Sequence, residues 1–304
     1  MNRLIFILII TVSLISCEKT ENPTSLILDE ETKEDTTSLQ INFNKRILEG
    51  YYVMSIIFDN QGTAWIGTSQ QGLIKYNSRE TIVYNSENSI SALASRIYDI
   101  AIDSKNNVWI ATADQGLIKY DGTEFTCFNS ANTPIPEDFI SSIAIDSKDN
   151  IWFSSSRFRQ GGLVKYDGTN WTVYIPENSD LPVNTVRSIL VDRDDNVWLA
   201  LSETVTIPYL VKISGDKWTI YTSDDFGFKP YFFGNIQMNS KNEVCASIDY
   251  FLSSSFANDK AHVFIFDGVS TIQLQLPDSF FGVGIIKVDH QDNIWCGIDR
   301  KSVV

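Results

Sequence analysis

Apolar and polar positions along this chain follow one unit that returns six times, and the unit reads as strands throughout. Ile143-Ala144-Ile145 is a short apolar run, Asp146-Ser147-Lys148-Asp149-Asn150 interrupts it, and Ile151-Trp152-Phe153 resumes it. That is the pattern of a hairpin closed by Asx-turn chemistry. Residues 100–110 and 189–199 repeat it. A Gly-Leu-Ile-Lys-Tyr run comes next at 72–76 and 116–120, with a Val variant at 162–166. A second turn follows, such as Asp121-Gly122 or Asp167-Gly168, a strong hairpin signal. The unit ends in an alternating strand such as Trp171-Thr172-Val173-Tyr174 or Trp218-Thr219-Ile220-Tyr221. No stretch of helical period interrupts these strands, so none is expected to be helical.

In every unit an Asp or Asn stands six positions before a Trp or its substitute: Asp59 and Trp65, Asp103 and Trp109, Asp146 and Trp152, Asp192 and Trp198, Asn239 and Cys245, Asp289 and Trp295. The period, about 43 to 50 residues, suits a four-stranded propeller blade. The fold class predicted is therefore all-β, a β-propeller of six four-stranded blades. The sixth unit runs only partway into its third strand. Residues 38–44, Ser-Leu-Gln-Ile-Asn-Phe-Asn, alternate like the fourth strand of the fifth unit at 270–276. A strand supplied from about 38–44 would close the last blade and remove an exposed edge. The rival reading is a piece of a longer propeller.

Composition changes the picture at the N-terminus. Asn2-Arg3, an apolar run from Leu4 to Ile15, and Leu14-Ile15-Ser16-Cys17 read as a secretory leader ending in a lipobox, with Cys17 as the lipidated residue. The apolar run is short for a membrane span. Residues 18–37 are polar and acidic, unable to bury enough surface to order themselves, and read as a flexible tether; residues 38–304 are the propeller domain. The expected place is the cell envelope, held to a membrane by lipid, at the outer membrane and facing the periplasm or the surface. The formal net charge of −14 argues against nucleic acid and favours neutral or cationic ligands. Cys127, Cys245 and Cys296 lie in strand-like apolar runs as small hydrophobes; no disulfide and no metal-binding cysteine site is expected.

The unit Asp-Ser-Lys-x-Asn-Val-Trp-Ile, then Gly-Leu-Ile-Lys-Tyr-Asp-Gly, then Trp-Thr-Val-Tyr resembles the two-component regulator propeller repeat. The resemblance covers about residues 39–304. It is strongest in the first three units and loosens where Tyr209-Leu210-Val211-Lys212-Ile213 replaces the Gly-Leu form and Cys245 replaces Trp. It implies a periplasmic sensor-like propeller that recognises a ligand, in many members a glycan, without signalling directly. A weaker similarity to streptogramin lyase propellers implies the alternative of a lyase.

In such a blade, the second-to-third-strand loops and the links between blades share one face. On this face the loops lengthen along the chain: 154–161, 202–209 and 249–261. Function concentrates on variable loops carried by a rigid scaffold. Arg157, Phe158, Arg159, Tyr209, Tyr231, Phe232, Tyr250, Phe251 and Phe256 are the candidate ligand-binding residues, aromatic rings for stacking and guanidinium forks for hydrogen bonds. A glycan or a peptide is the expected ligand, and a protein partner is the scaffold alternative. Of the two histidines, His290 lies in the turn Asp289-His290-Gln291-Asp292-Asn293 on the opposite face and reads as a solvated turn residue, and nothing in the sequence gives His262 a carboxylate partner, so no catalytic residue is assigned. No cofactor and no metal site is expected. The Asp-rich turns lack the bidentate Glu that calcium prefers.

Overall fold

The computed structural model describes residues 5–8, 52–77, 79–157, 160–202, 208–227, 233–248, 262–275 and 283–298. They form an all-β propeller of sequential antiparallel sheets. Five sheets have four strands and span 53–84, 97–128, 143–174, 186–221 and 233–275. The first strands pack on one another in series around the axis, and the later strands lie progressively further out.

The expectation of six four-stranded blades is corrected here. The sixth sheet holds two strands of its own unit, Val283–Val288 and Ile294–Ile298, and a third, Ile5–Leu8, paired parallel to Ile294–Ile298. Every other strand pair in the described residues is antiparallel. The proposed closing strand at 38–44 lies outside the described residues.

Two short helices occupy links between blades, which strand periodicity did not foresee. One is a 3-10 turn, Ser91–Ala94, and the other an α-helical turn, Ser223–Phe226, capped by Thr222 and Asp225. Phe226 and Phe233, on either side of the link between the fourth and fifth blades, are core residues packed edge to face at 5.7 Å. The run 154–161, read as a loop, is mostly strand: Ile151–Arg157 and Gln160–Tyr166 pair out to Arg157 opposite Gln160.

The hairpin turn has one construction in all six units. Its opening Asp or Asn accepts the backbone N–H groups two and four positions on, as Asp103 does from Lys105 at 3.0 Å and Asn107 at 2.8 Å. The residue between them takes positive φ, and Gly62, Asn106, Asp149, Asp195, Asn242 and Asp292 are the types that tolerate it. The six-residue spacing also has a cause: the second carboxylate oxygen accepts the indole N–H of Trp65, Trp109, Trp152, Trp198 and Trp295 at 2.9–3.3 Å. A Lys on the facing strand stands over four of these rings, Lys75, Lys119, Lys165 and Lys212, at 5.0–5.8 Å. The rings pack between blades, for example Trp109 against Phe128 and Tyr166.

Polar bonds join the blades at two levels. Near the axis, Ser55 donates to Asp99, and Asp99 accepts the N–H of Ile143. Ser142 accepts the N–H of Ile189, and Ser188 that of Ile236. Burial raises the Asp99 carboxyl above its ordinary value, against those hydrogen bonds. On the turn face, the backbone and hydroxyl of Ser104 donate to Asp149, those of Ser147 to Asp195 and those of Ser240 to Asp292, each Asp belonging to the next blade.

Candidate functional site

The two faces of the ring differ in how they are built. The turn face is a belt of short Asx turns, most of them latched to a neighbour. The opposite face carries the inter-blade links, and there a cavity of about 250 Å³ lies between the second and third blades. Asp114 enters it from the second-to-third-strand loop of the second blade, Ser130, Glu137, Asp138 and Phe139 from the link, and Arg157 from the third blade.

The link is pinned to both blades, so the walls are fixed by the fold. Ile140 N–H donates to the carbonyl of Thr112 at 2.9 Å, and Gly116 N–H to that of Asp138 at 3.0 Å. Gly116 has φ 75°, and a Cβ there would lie 2.2 Å from the carbonyl oxygen of Phe128, so only glycine fits. From the third blade, the buried Ser155 hydroxyl accepts the N–H of Glu137 at 2.9 Å and donates to its carbonyl at 2.6 Å. Ser156 N–H donates to the carbonyl of Phe139 at 3.2 Å. The Ser154-Ser155-Ser156 run, at the start of the stretch read from sequence as a loop, is thus the anchor of the link. The Asp138 carboxylate accepts the N–H of Ser130 at 2.7 Å and its hydroxyl at 3.1 Å.

An aromatic wall with a cation at each end stands beside the cavity. The Arg157 guanidinium lies 6.0 Å from the Phe139 ring, Phe139 packs on Tyr98 at 5.2 Å, and the Arg96 guanidinium lies 5.8 Å from the Tyr98 ring. Tyr98 and Phe139 are partly exposed and both arginines are exposed. Arg96, Tyr98 and Phe139 were not singled out from sequence, because they lie in short links and strand starts with no unusual composition.

Of the residues singled out, Arg157 lines the cavity, and Tyr209 is half-buried against the core between the third and fourth blades. Phe158, Arg159, Tyr231, Phe232, Tyr250, Phe251 and Phe256, together with Cys17, lie outside the described residues. His290 is exposed on the turn face, and the backbone of His262 pairs with Gln275 in the outer part of the fifth sheet. Cys245 and Cys296 are buried in one cluster between the fifth and sixth sheets, where burial pushes the Cys296 thiol to about 11. Among the described residues no three His, Cys, Asp or Glu side chains converge as a metal site would require.

Three stretches, 47–70, 91–114 and 180–203, match the family described as two component regulator propeller. The extracellular domain of a protein described as a hybrid two component system from B. thetaiotaomicron superposes with a TM-score of 0.64 at 19% identity, over 81% of this chain and 32% of that one. One described as a one component system from the same organism gives 0.63 at 17%, over 83% and 37%. Virginiamycin B lyase from Staphylococcus aureus, solved with quinupristin as a catalytically inactive variant, gives 0.61 at 12%, over 81% and 78%. The chain spans about a third of the length of those two extracellular domains. No curated protein sequence matches. At these identities the structural likeness is a likeness of fold.

Proposed function

Because three stretches of this propeller match the two component regulator propeller family, we propose that it is a ligand-binding module of the cell envelope, without enzymatic activity. It is held to a membrane by lipid on Cys17 and recognises a glycan or a peptide through its loop face. The observation that carries the reading is the contrast between the faces. One is closed by short turns, and the other offers a walled cavity with exposed guanidinium groups and half-exposed rings. Sites of this kind, concave and held by a rigid scaffold, are where small ligands bind.

A thermal-shift panel of oligosaccharides and short peptides on the purified protein tests this, since a ligand that binds only the folded state raises its melting temperature. A shift with one class, lost in Phe139→Ala, supports the reading. An unchanged melt across the panel would move the weight to a protein partner held by the propeller as a scaffold. Cys17→Ser should release the protein from the membrane fraction; continued membrane association would overturn the lipid anchor. Cleavage before Cys17 would also remove Ile5–Leu8 from the edge of the sixth sheet.

The lyase reading is favoured by the fold of virginiamycin B lyase, most of whose length this chain covers. His290 lies on the opposite, turn face. Turnover of quinupristin that disappears in His262→Ala would favour it.

A further inference from the structure

We propose that the first blade carries a docking surface for a partner polypeptide, and that the partner meets it with a β-sheet of this same repeat type, presenting a Trp, a Leu and an aromatic ring stacked on the Trp. This surface is independent of the loop-face reading.

Among the described residues, four of the seven exposed large apolar side chains fall in one short run, Tyr52, Val53, Ile56 and Phe58. Single exposed apolar residues need no cause, but a contiguous row marks a contact surface. The row has counterparts in the later blades, because their first strands share its register. Val53 is 36% exposed, whereas Ile97, Ile140, Val186 and Phe233 are at most 1% exposed. Phe58 is 68% exposed, whereas Ile102, Ile145, Val191 and Met238 are packed against the blade before them. The backbone shows the same difference. The N–H groups of Ile143, Ile189 and Ile236 are each accepted by a side chain of the preceding blade, while that of Ile56 meets no side chain among the described residues.

What covers this surface elsewhere in the ring defines the partner's chemistry. The row of the second blade is covered by Trp65, Leu73 and Tyr84, and that of the third by Trp109, Leu117 and Phe128. Trp152, Leu163 and Tyr174 cover the fourth, and Trp198, Leu210 and Tyr221 the fifth. In each trio the ring of the fourth strand stacks on the Trp of its own sheet at 5.9–6.4 Å, so the covering surface is one rigid aromatic block beside a Leu. A large aromatic anchor seated among aliphatic side chains is the arrangement that dominates interface energies. No described sheet of this chain has the trio to spare. In the first four sheets the Trp is buried in its own ring, the fifth has Cys245 in its place, and the sixth has Trp295 but only two strands of its own unit. A second copy would therefore bring nothing that fits, and the occupant is a different polypeptide.

The test is photo-crosslinking in the producing cell, with p-benzoylphenylalanine in place of Phe58 in the full chain and, as a control, in place of the exposed Ile272 on an outer strand. Mass spectrometry of the Phe58 adduct should place the new bond in a partner polypeptide, within a sheet of the repeat type and beside its Trp. Ile56→Asp in the same background should lower the adduct by roughly tenfold or more, because docking would bury an unpaired carboxylate. Val53→Lys is a second change of the same kind. Both positions are exposed, so the melting temperature of the purified variants should be that of the wild type, which separates lost docking from lost fold. A bond to a second copy or to the chain's own sixth sheet overturns the proposal, as does an adduct in a polypeptide without such a sheet. Adducts no stronger than the Ile272 control, or untouched by both substitutions, overturn it as well.

Discussion

Trp109 carries the logic of the repeat in one side chain. Its ring fills the space between two blades, and its N–H reaches Asp103 at 3.0 Å. Trp109→Phe keeps most of the packing and leaves the carboxylate one donor short, so urea melts should show a loss of about 1–3 kcal/mol. Adding Asp103→Asn should cost more again, because the same oxygen also accepts from the Asn107 side-chain amide at 2.7 Å. The fifth unit replaces the whole constellation at once. Cys245 stands for Trp, Ile265 faces it where other units have Lys, and Asn239 donates to Glu243 where Asp elsewhere accepts from Asn. In sequence, Cys245 and Asn239 looked like decay of the repeat; the reversed hydrogen bond is visible only once the two side chains face each other. At the sixth turn the Trp295 N–H leads the causes that hold the Asp289 carboxyl down at about 2. A carboxyl depressed on folding contributes stability that is present above its unfolded value and lost as pH falls through its folded value. Trp295→Phe should raise the Asp289 titration toward the ordinary carboxylate range by NMR; an unmoved midpoint would contradict the bond.

At the scale of the element, the turns do more than reverse the chain. Ser104 with Asp149, Ser147 with Asp195 and Ser240 with Asp292 join partners 45, 48 and 52 residues apart. Between the fourth and fifth blades the same latch is made with other groups, Arg193 to the carbonyl of Ser240 and Asn242 to Asp194, each at 3.0 Å. The strands and turns themselves were legible, because alternation and Asx chemistry are local. The latches were not, since nothing within one unit says that its Ser meets the Asp of the next. The serine run 154–156 escaped for the same reason, its partners lying in the neighbouring link and blade. Hydrogen bonds from Ser104 hold the Asp149 carboxyl below its ordinary value. The latch should therefore weaken as pH falls through that lowered range. Asp149→Asn, which keeps a residue type that tolerates the positive φ of 62°, should lower the melting temperature by no more than about 3 °C at neutral pH, since exposed pairs are worth little. The difference from wild type should vanish in acid, and a scan of melting temperature against pH checks both points.

Across the whole molecule the inner strands show where blade packing runs and where it stops. One Ile recurs at the same register, and its exposure is 4% at Ile100, 6% at Ile143, 6% at Ile189 and 1% at Ile236, but 44% at Ile56. Each buried member packs on the preceding blade, as Ile143 does beside Trp109 and Leu117. Ile56 belongs to the first blade, at the start of the series. Ile143→Ala should cost about 2–4 kcal/mol and Ile56→Ala less than about 1 kcal/mol in denaturant melts, the difference between a cavity in a packed core and a trimmed surface. The propeller as a whole was legible from its period, while the number of complete blades was not: six units recur, but among the described residues five sheets have four strands and the sixth has two of its own. The cavity between the second and third blades was not legible either, because it depends on how one link is pinned. Amide hydrogen exchange, with and without the ligand class that raises the melting temperature, tests recognition by the loop face most directly. Slowed exchange at 113–116 and 130–140, with the turns at 103–107, 146–150 and 192–196 unchanged, is the predicted result. Protection confined to those turns, with the loop face unaltered, would contradict it.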